Sequence, residues 1–263
     1  MIQPAPKREA AMPDTFWVGD AAWSAIEPLL PDNQPGARRV DDRRVISGIV
    51  HVLRSGCWWK DCPRAYGPPT TIYNRFNRWS RRGLWQRLFT VLVEASAVPD
   101  KIAIDSSFIK AHRSAAGGAG GAKVQAIGSS RGGRTTKIHA VTDLDGRPYV
   151  FVLTPGNVAD ISIAPTLVTA LPESSSLLGD KGYDANGLRR LLDSRSTAAV
   201  IPSKASRKLA FPFDQDAYRQ RNVIERMFCR LKDFRRIATR YDKLARNFLA
   251  AICLAAALSF WLN

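Results

Sequence analysis

Three acidic residues stand where a carboxylate is suited to bind a divalent cation. Asp105 lies inside the apolar strand pattern KIAIDSSFI, where burying an unpaired charge is costly and implies a partner or a metal. Asp180 closes SLLGD, at the carboxyl end of a predicted strand, where open α/β sheets bind ligands. If these strands are neighbours, the two acids meet at one edge of the sheet, where a divalent cation would relieve their repulsion.

The third acid, Glu225, lies in a predicted helix among basic residues. At about 100° per residue, the helix YRQRNVIERMFCRLK places Tyr218, Arg221, Glu225 and Lys232 on one stripe beside an apolar face. An i, i+4 ion pair between Arg221 and Glu225 is the simpler explanation for an isolated helix. Combined with two acids at strand positions, the stripe favours a metal site next to phosphate-binding residues.

The chemistry of such a site is phosphoryl transfer. Hard cations prefer carboxylate oxygens, and two Mg²⁺ ions about 3.5–4 Å apart can activate the attacking oxygen and stabilise the leaving oxygen. We expect Asp105, Asp180 and Glu225 to bind two Mg²⁺ ions, with Mn²⁺ as a substitute. The phosphodiester backbone would contact the remaining residues of the stripe, Tyr218, Arg221 and Lys232.

Other polar residues near these segments are expected to have structural roles. Asp160, Lys181 and Asp184 suit caps, turns or the surface. His112 and His139 flank the Asp105 strand, and for them we expect local hydrogen bonding rather than a role in the site.

The elements that must position the site change character near Pro99. Before it, apolar residues recur at helical steps and predict helices at 20–30, 41–55, 70–82 and 84–95. The helix after GPPT carries arginines outside its apolar face, including Arg75 and Arg78. Such helices are typical of helix-turn-helix DNA-binding modules, although a plain helical domain with solvated arginines fits about equally well.

After Pro99 the period becomes that of strands. Residues 101–154 predict a three-stranded antiparallel meander whose first connection is glycine-rich, and helices and strands alternate beyond residue 156. This is the element order of the ribonuclease H-like fold, an α/β fold with a mixed five-stranded sheet and flanking helices. We predict a disordered leader at 1–15, a small all-α, helix-turn-helix-like DNA-binding domain at 16–98 and a ribonuclease H-like catalytic domain at 99–263.

The charge of the chain points to a polyanionic partner. Its 263 residues include 39 Lys and Arg against 23 Asp and Glu, a net charge of +16, and 45% are apolar, which is enough for a folded core. Two basic blocks, residues 37–87 and 201–263, flank a nearly balanced middle. This distribution would be explained if the two basic blocks bind DNA on both sides of an acidic centre.

Several classes of protein are disfavoured. The start of the chain has no apolar segment like that of a signal peptide, and four scattered cysteines are too few for a disulfide scaffold. The apolar run at 248–262 is shorter than the roughly 20 residues of a membrane span, so we expect a buried closing helix. We expect no membrane partner and a cytoplasmic, nucleoid-associated protein.

At these residues the sequence resembles the DDE transposases of bacterial insertion sequences, in the group of insertion sequences four and five, and above all the insertion-sequence-five family. The family pattern is Tyr, two residues, Arg, three residues, Glu, six residues, Lys, and Tyr218, Arg221, Glu225 and Lys232 reproduce every interval. Other matching segments are DSSFIKAH, GGRTTKIHAVTDLDGRP, TPGNVAD and GDKGYD, together with WSAIEPLLP and SGCWWKDCPRAYGPPTTIYNRFNRW before them.

This resemblance implies a specific activity. It makes Asp105, Asp180 and Glu225 a catalytic triad that uses Mg²⁺ to cleave the ends of the element and join the freed 3′ hydroxyl to target DNA. The implied partners are transposon ends and target DNA, bound by a homodimer or higher oligomer. Two alternatives are a related nuclease that does not join strands and a catalytically silent DNA-binding repressor.

Overall fold

The amino-terminal part of the protein is helical, as its apolar periodicity predicts. The computed structural model describes residues 15–31, 41–130 and 132–262, so the predicted leader lies almost entirely outside the described residues. The helices of this part are α1 (Asp20–Ile26), α2 (Asp42–Ser55), α3 (Pro69–Arg81) and α4 (Leu84–Glu94).

Local chemistry sets the limits of α2 and α3. The Asp41 side chain caps α2 by accepting hydrogen bonds from the backbone N–H groups of Arg43 and Arg44, and Gly56 ends the helix in a left-handed conformation (φ 76°). Helix α3 begins at Pro69, where proline's fixed φ suits the first turn. The two helices are joined by residues 56–68, a longer connection than the short turn of a helix-turn-helix.

A mixed sheet forms the centre of the carboxyl-terminal part. Its strands are β1 (Lys101–Ala111), β2 (Gly128–Ser130), β3 (Gly133–Thr142), β4 (Pro148–Pro155), β5 (Ser176–Leu178), β6 (Ala198–Val200) and β7 (Thr239–Arg240). Strands β1, β3 and β4 form the predicted antiparallel meander, while β5 and β6 run parallel to β1. The five predicted strands thus lie in the order β4-β3-β1-β5-β6. The short strand β2 pairs with the start of β3, and β7 pairs with the end of β1.

Among the described residues, seven further α-helices surround or follow the sheet. They are α5 (Gly121–Val124), α6 (Ala164–Thr169), α7 (Asn186–Ser194), α8 (Gln215–Arg219), α9 (Asn222–Lys232), α10 (Arg235–Ala238) and α11 (Ala245–Ala256). The helix predicted from Tyr218 onward is therefore two helices: Gln220 and Arg221 keep right-handed helical backbone angles, but their N–H groups donate to the carbonyls three residues back instead of four. Tyr218 belongs to the first and Glu225 to the second.

The sheet is buried on both faces. Helices α6 and α7 cover one face, in a core that includes Ile104 and Leu167. On the other face, α2–α4 share a continuous core with α9 and α11, which includes Trp79, Ile109 and Leu254. The apolar run near the end of the chain is thus the buried closing helix that the sequence predicts, and the described residues contain no helix with the length and apolarity of a membrane span.

The glycine-rich connection between β1 and β3 is anchored by a buried arginine. The Arg240 guanidinium is fully buried and donates to Thr136 Oγ1 (2.7 Å) and to the Asp242 carbonyl (3.0 Å). Thr136 in turn donates to the Ala126 carbonyl (2.6 Å), which belongs to the connection. The buried donor therefore fixes a segment whose sequence alone predicts only a loop.

A buried carboxylate anchors the long loop after β6. The Asp184 side chain accepts hydrogen bonds from Arg189 Nε (2.8 Å), Arg207 Nε (2.5 Å) and the backbone N–H of Lys204 (2.8 Å). Burial would raise the pKa of Asp184, but these donors outweigh burial and hold it well below its usual range. Asp184 therefore has a structural role, as expected, but the expected surface position is wrong, because Arg189 and the more distant Arg207 converge on a buried side chain.

Two glycine substitutions should change stability in opposite directions. A Cβ at Gly48, inside α2, would lie 2.8 Å from the Tyr66 Cβ, whereas a Cβ at Gly187, in α7, would meet nothing within 4 Å. Gly48→Ala should cost about 1–3 kcal/mol through overpacking, although alanine favours helices. Gly187→Ala should gain up to about 1 kcal/mol. Urea unfolding measures both, and equal gains would contradict the packing at Gly48.

Asp184→Asn should destabilise the protein in a pH-dependent way. A carboxyl whose folded pKa is depressed stabilises the fold fully above its unfolded pKa of about 3.9, and this contribution is lost as the pH falls below that value. We expect a loss of about 2–3 kcal/mol near neutral pH. Thermal unfolding from neutral to acid pH should show the gap between the two proteins shrinking, whereas a constant gap would contradict the ion-paired carboxylate.

Candidate active site

The site lies along a stretch of β1 that has a strand neighbour on one side only. Strand β1 pairs with β3 over nearly its whole length, but on its other side it pairs with β5 at 101–103 and with β7 at 110–111. Within the described sheet, residues 104–109 therefore leave one edge open. Because side chains alternate along a strand, Asp105 and Ser107 face α9, and Ser106 and Phe108 face the opposite side.

The strand register brings Asp105 and Asp180 side by side. Ala103 is paired with Leu178 in the parallel β1–β5 ladder, and each aspartate follows two residues later, Asp105 within β1 and Asp180 just beyond the end of β5. The Asp180 carboxylate accepts a hydrogen bond from the backbone N–H of Gly182 (2.8 Å). Its charge is close enough to raise the pKa of Asp105. The predicted meeting of the two acids at one sheet edge therefore has a geometric basis in the register.

Arg221 joins the strand acid to the helix acid. Its Nη1 lies 3.0 Å from Asp105 Oδ2, and its Nη2 lies 2.5 Å from Glu225 Oε1. Arg221 is the residue before α9, and Glu225 is one helical turn further on. The i, i+4 ion pair and the convergence on Asp105 are thus parts of one bridge, and the sequence suggested them as competing explanations.

The electrostatics of the bridge are those of crowded carboxylates around one cation. Burial raises the pKa of Asp105, and the charges of Asp180 and Glu225 raise it further, while the Ser106 backbone N–H and Arg221 oppose the shift. Burial alone would lower the pKa of Arg221, but Asp105 and Glu225 raise it. The guanidinium therefore stays charged and offsets the repulsion between the acids.

The other two residues of the helical stripe lie on either side of this bridge. Lys232 Nζ donates to Ser107 Oγ (2.7 Å), two residues after Asp105 on the same face of β1. The Tyr218 ring lies 5.8 Å from the Arg221 guanidinium carbon and packs edge-on against Phe213. Arg221 and Lys232 thus contact β1 directly, and Glu225 and Tyr218 are linked to it through Arg221.

The donor set fits a hard divalent cation. Its members are carboxylates, which supply only oxygen ligands. Within residues 15–31, 41–130 and 132–262, no three His, Cys, Asp or Glu side chains form a ready-made metal cluster. Arg221 instead occupies the space between Asp105 and Glu225.

A second polar network lies on the opposite face of β1. Asp160 Oδ1 accepts hydrogen bonds from Ser106 Oγ (2.8 Å) and from Lys137 Nζ (2.8 Å). The cap, turn or surface role expected for Asp160 is therefore incomplete, because this side chain ties the loop after β4 to the strand of Asp105. A lysine inside the buried strand pattern TTKIHAVTD was the available signal, since a buried ammonium needs a partner.

His139 has the structural role that the sequence predicts. It is fully buried on β3, and its Nε2 lies 2.8 Å from Thr154 Oγ1. Burial lowers its pKa to about 4, against the opposing charge of Asp160. The ring is therefore neutral near physiological pH.

The two amino-terminal arginines have different surroundings. Arg75 forms an ion pair with Asp42, both side chains are mostly buried, and its guanidinium lies over the Trp79 ring (5.0 Å). Arg78, one turn further along α3, is exposed. Arg75 is thus held inside the helical part of the protein, and Arg78 is the better placed to meet a polyanion.

Similarity to known proteins covers nearly the whole chain. Residues 18–89 match the family described as putative transposase of the IS4/5 family, and residues 96–260 match the family described as transposase DDE domain. A putative transposase for insertion sequence element IS6501 from Brucella ovis is 36% identical over 130 residues, which are 49% of this chain and 99% of the relative. A putative transposase for insertion sequence element IS402 from Burkholderia cepacia is 32% identical over 137 residues, 48% of this chain and 63% of the relative.

The fold has a counterpart among solved structures. The piggyBac transposase, in a synaptic complex with hairpin DNA, superposes with a TM-score of 0.50 at 11% identity, over 90% of this chain and 69% of that chain. At this identity the likeness concerns the mixed α/β fold alone. Since the DDE-domain match at residues 96–260 spans well over half of the sequence, the chain belongs to the family of insertion-sequence transposases with a DDE domain.

Proposed function

We propose that Asp105, Asp180 and Glu225 are the catalytic carboxylates with which this DNA transposase cleaves and joins DNA strands. The observation that carries the proposal is the Arg221 bridge, which holds Asp105 and Glu225 at 3.0 and 2.5 Å from one guanidinium. The β1–β5 register, which aligns Asp180 with Asp105, supports the third member.

We propose Mg²⁺ as the cofactor, with Mn²⁺ as a substitute. DDE transposases use divalent metal ions, and the oxygen-only donor set of Asp105, Asp180 and Glu225 suits these two cations. When bound, a pair of such ions activates the attacking oxygen and stabilises the leaving oxygen of phosphoryl transfer.

The basic residues of the site position the phosphodiester and offset its charge. The planar fork of Arg221 suits bidentate contact with phosphate oxygens as well as with carboxylates. Lys232, held by Ser107, supplies a point charge further along the open edge of β1. Tyr218 flanks Arg221 and limits its orientation. Together they bind the backbone of the strand whose phosphate is attacked, and they carry no base specificity of their own.

The domain organisation follows from the same elements. The strand order β4-β3-β1-β5-β6, with three antiparallel strands and two parallel ones, supports a ribonuclease H-like catalytic domain at 99–263. The exposed arginines of α3, Arg78 among them, support a DNA-binding role for 16–98. A transposase must hold two element ends at once, so we propose a homodimer or higher oligomer on DNA, acting at the nucleoid in the bacterial cytoplasm.

Replacing any of the three carboxylates should abolish strand cleavage and leave DNA binding intact. Asp105→Asn, Asp180→Ala and Glu225→Gln should each lower the cleavage rate with Mg²⁺ by at least about 10³-fold, because each removes an anionic carboxylate from the reaction centre. Gel assays on DNA carrying the element's ends measure cleavage, and fluorescence anisotropy measures binding. The matched control is Asp216→Ala, since Asp216 is an exposed carboxylate on α8 paired only with Arg219 among the described contacts.

The same assay separates transposition from the two alternatives. A labelled 3′-hydroxyl end incubated with plasmid and Mg²⁺ should yield joined product, which a nuclease without joining activity does not form. Normal activity of Asp180→Ala would overturn the carboxylate assignment, and absence of cleavage by the unaltered protein would favour a repressor.

Substitutions at Arg78 and Arg75 should affect binding and stability differently. Arg78→Ala should reduce the slope of log affinity against log salt by about 1 if the side chain neutralises one phosphate. Arg75→Ala should leave this slope unchanged and lower the unfolding temperature, because it removes an ion pair whose two side chains are mostly buried. Anisotropy titrations at several salt concentrations and thermal unfolding measure the two effects. An unchanged slope for Arg78→Ala would remove α3 from the DNA interface.

A further inference from the structure

An aromatic ring stands exposed on the catalytic strand. Phe108 is 53% exposed, and it lies on β1 three residues after Asp105, within the stretch that has an open edge. Among the other exposed aromatic residues in the described parts of the chain, Trp17 and Tyr73 pack against an aromatic ring, Phe211 lies between two arginines, and Trp58, in the helical part, contacts Lys60. Leaving half of a phenylalanine in water forgoes part of the stabilisation that burial provides.

A buried cation holds the inner side of this ring. Lys137 is the cross-strand partner of Phe108, and its ammonium lies 4.6 Å from the ring centroid. That ammonium is itself fixed by Asp160 Oδ1 (2.8 Å) and the Val158 carbonyl (2.7 Å), and it is almost fully buried. One face of the Phe108 ring, here called the plate, therefore packs against the Lys137 ammonium, and the remaining surface of the ring faces solvent.

The surroundings of the plate suit a nucleic acid. Lys110 is exposed on the same face of β1, and Lys232 reaches Ser107 from the other face. Three residues of strand span about 10 Å, and stacked nucleotides rise about 3.4 Å along each strand. Along the strand, Phe108 thus lies about three nucleotide steps from Asp105, and because the two side chains point to opposite faces, a DNA strand that contacts both crosses the open edge of β1. An apolar ring among cations next to a phosphate site matches the stacking platforms of proteins that bind single strands.

We propose that Phe108 is a stacking platform for a terminal or unpaired nucleobase next to the bond that is cleaved. Inside an intact duplex each base is covered by its neighbours, so only a base at a strand end or nick has a free face. The ring would then favour DNA that has already been cut, and would hold the new end near Asp105 for joining. This inference rests on the proposed function, because it takes Asp105 as the centre of the reaction.

The test compares intact and nicked DNA without divalent metal, so that no cleavage occurs. Anisotropy should show that the unaltered protein binds a duplex with one nick more tightly than the same duplex intact. Phe108→Ala should lower this preference by about 5- to 150-fold, the loss expected for one base on an aromatic ring. If the preference of the unaltered protein is smaller than this factor, Phe108→Ala should abolish it. Phe108→Trp should keep it. The matched control is Val98→Ala, because Val98 is an exposed apolar residue that precedes the start of β1.

Fluorescence of 2-aminopurine at the nick gives a second measurement. Stacking on the ring should quench the probe in the unaltered protein and in Phe108→Trp, and Phe108→Ala should leave it bright. Three results would overturn the platform. The first two are that the unaltered protein shows no preference for the nick, or that Phe108→Ala keeps the preference. The third is that Phe108→Ala changes the oligomeric state without DNA, which would indicate that a second copy covers the ring. Cleavage by the carboxylate variants tests the proposed function separately.

Discussion

Carboxylates crowded at one edge of a sheet repel one another, and a positive charge between them offsets that repulsion. Here the Arg221 guanidinium supplies that charge, 3.0 Å from Asp105 on β1 and 2.5 Å from Glu225 on α9. The bridge also fixes the position of α9 against the strand, and α9 carries the apolar residues that join the sheet to the helical part of the protein. The site and the core are thus positioned by the same helix, whose two faces serve different purposes.

The open edge of β1 is the second constraint on which the site depends. A strand with neighbours on both sides would have its backbone covered, and its polar side chains would be packed beneath helices. Because β5 stops at Leu178 and β7 begins only at Thr239, the middle of β1 stays accessible between them. Asp105 and Phe108 both lie in this gap, on opposite faces of the strand. The proposed catalytic Asp105 and the proposed stacking residue Phe108 therefore lie within one short segment.

Much of the fold and of the site could be predicted from the sequence, for identifiable physical reasons. Period-two alternation located β1, and the order of strands and helices implied that Asp105 and Asp180 would be neighbours in parallel strands. Helical spacing placed Arg221 and Glu225 together. These predictions depend on local periodicity and on the handedness and order of connections, which a single sequence displays.

The features that could not be predicted depend on contacts between segments distant in the chain. Asp184 is anchored by Arg207, and Asp160 by Lys137, yet no local pattern indicates which loops meet. The exposure of Phe108 depends on where β5 ends, which is a property of the assembled sheet. The apolar spacing continues across the break between α8 and α9, so periodicity could not predict that the expected helix is divided in two.

The most direct measurement is anomalous scattering from Mn²⁺ in crystals of the protein bound to DNA. We expect Mn²⁺ to be bound by carboxylate oxygens of Asp105, Asp180 and Glu225, with the Arg221 guanidinium moved from between Asp105 and Glu225 towards a phosphate of the DNA. Manganese bound at other side chains, with Arg221 still bridging the two acids, would contradict the assignment of the open edge of β1 as the centre of the reaction.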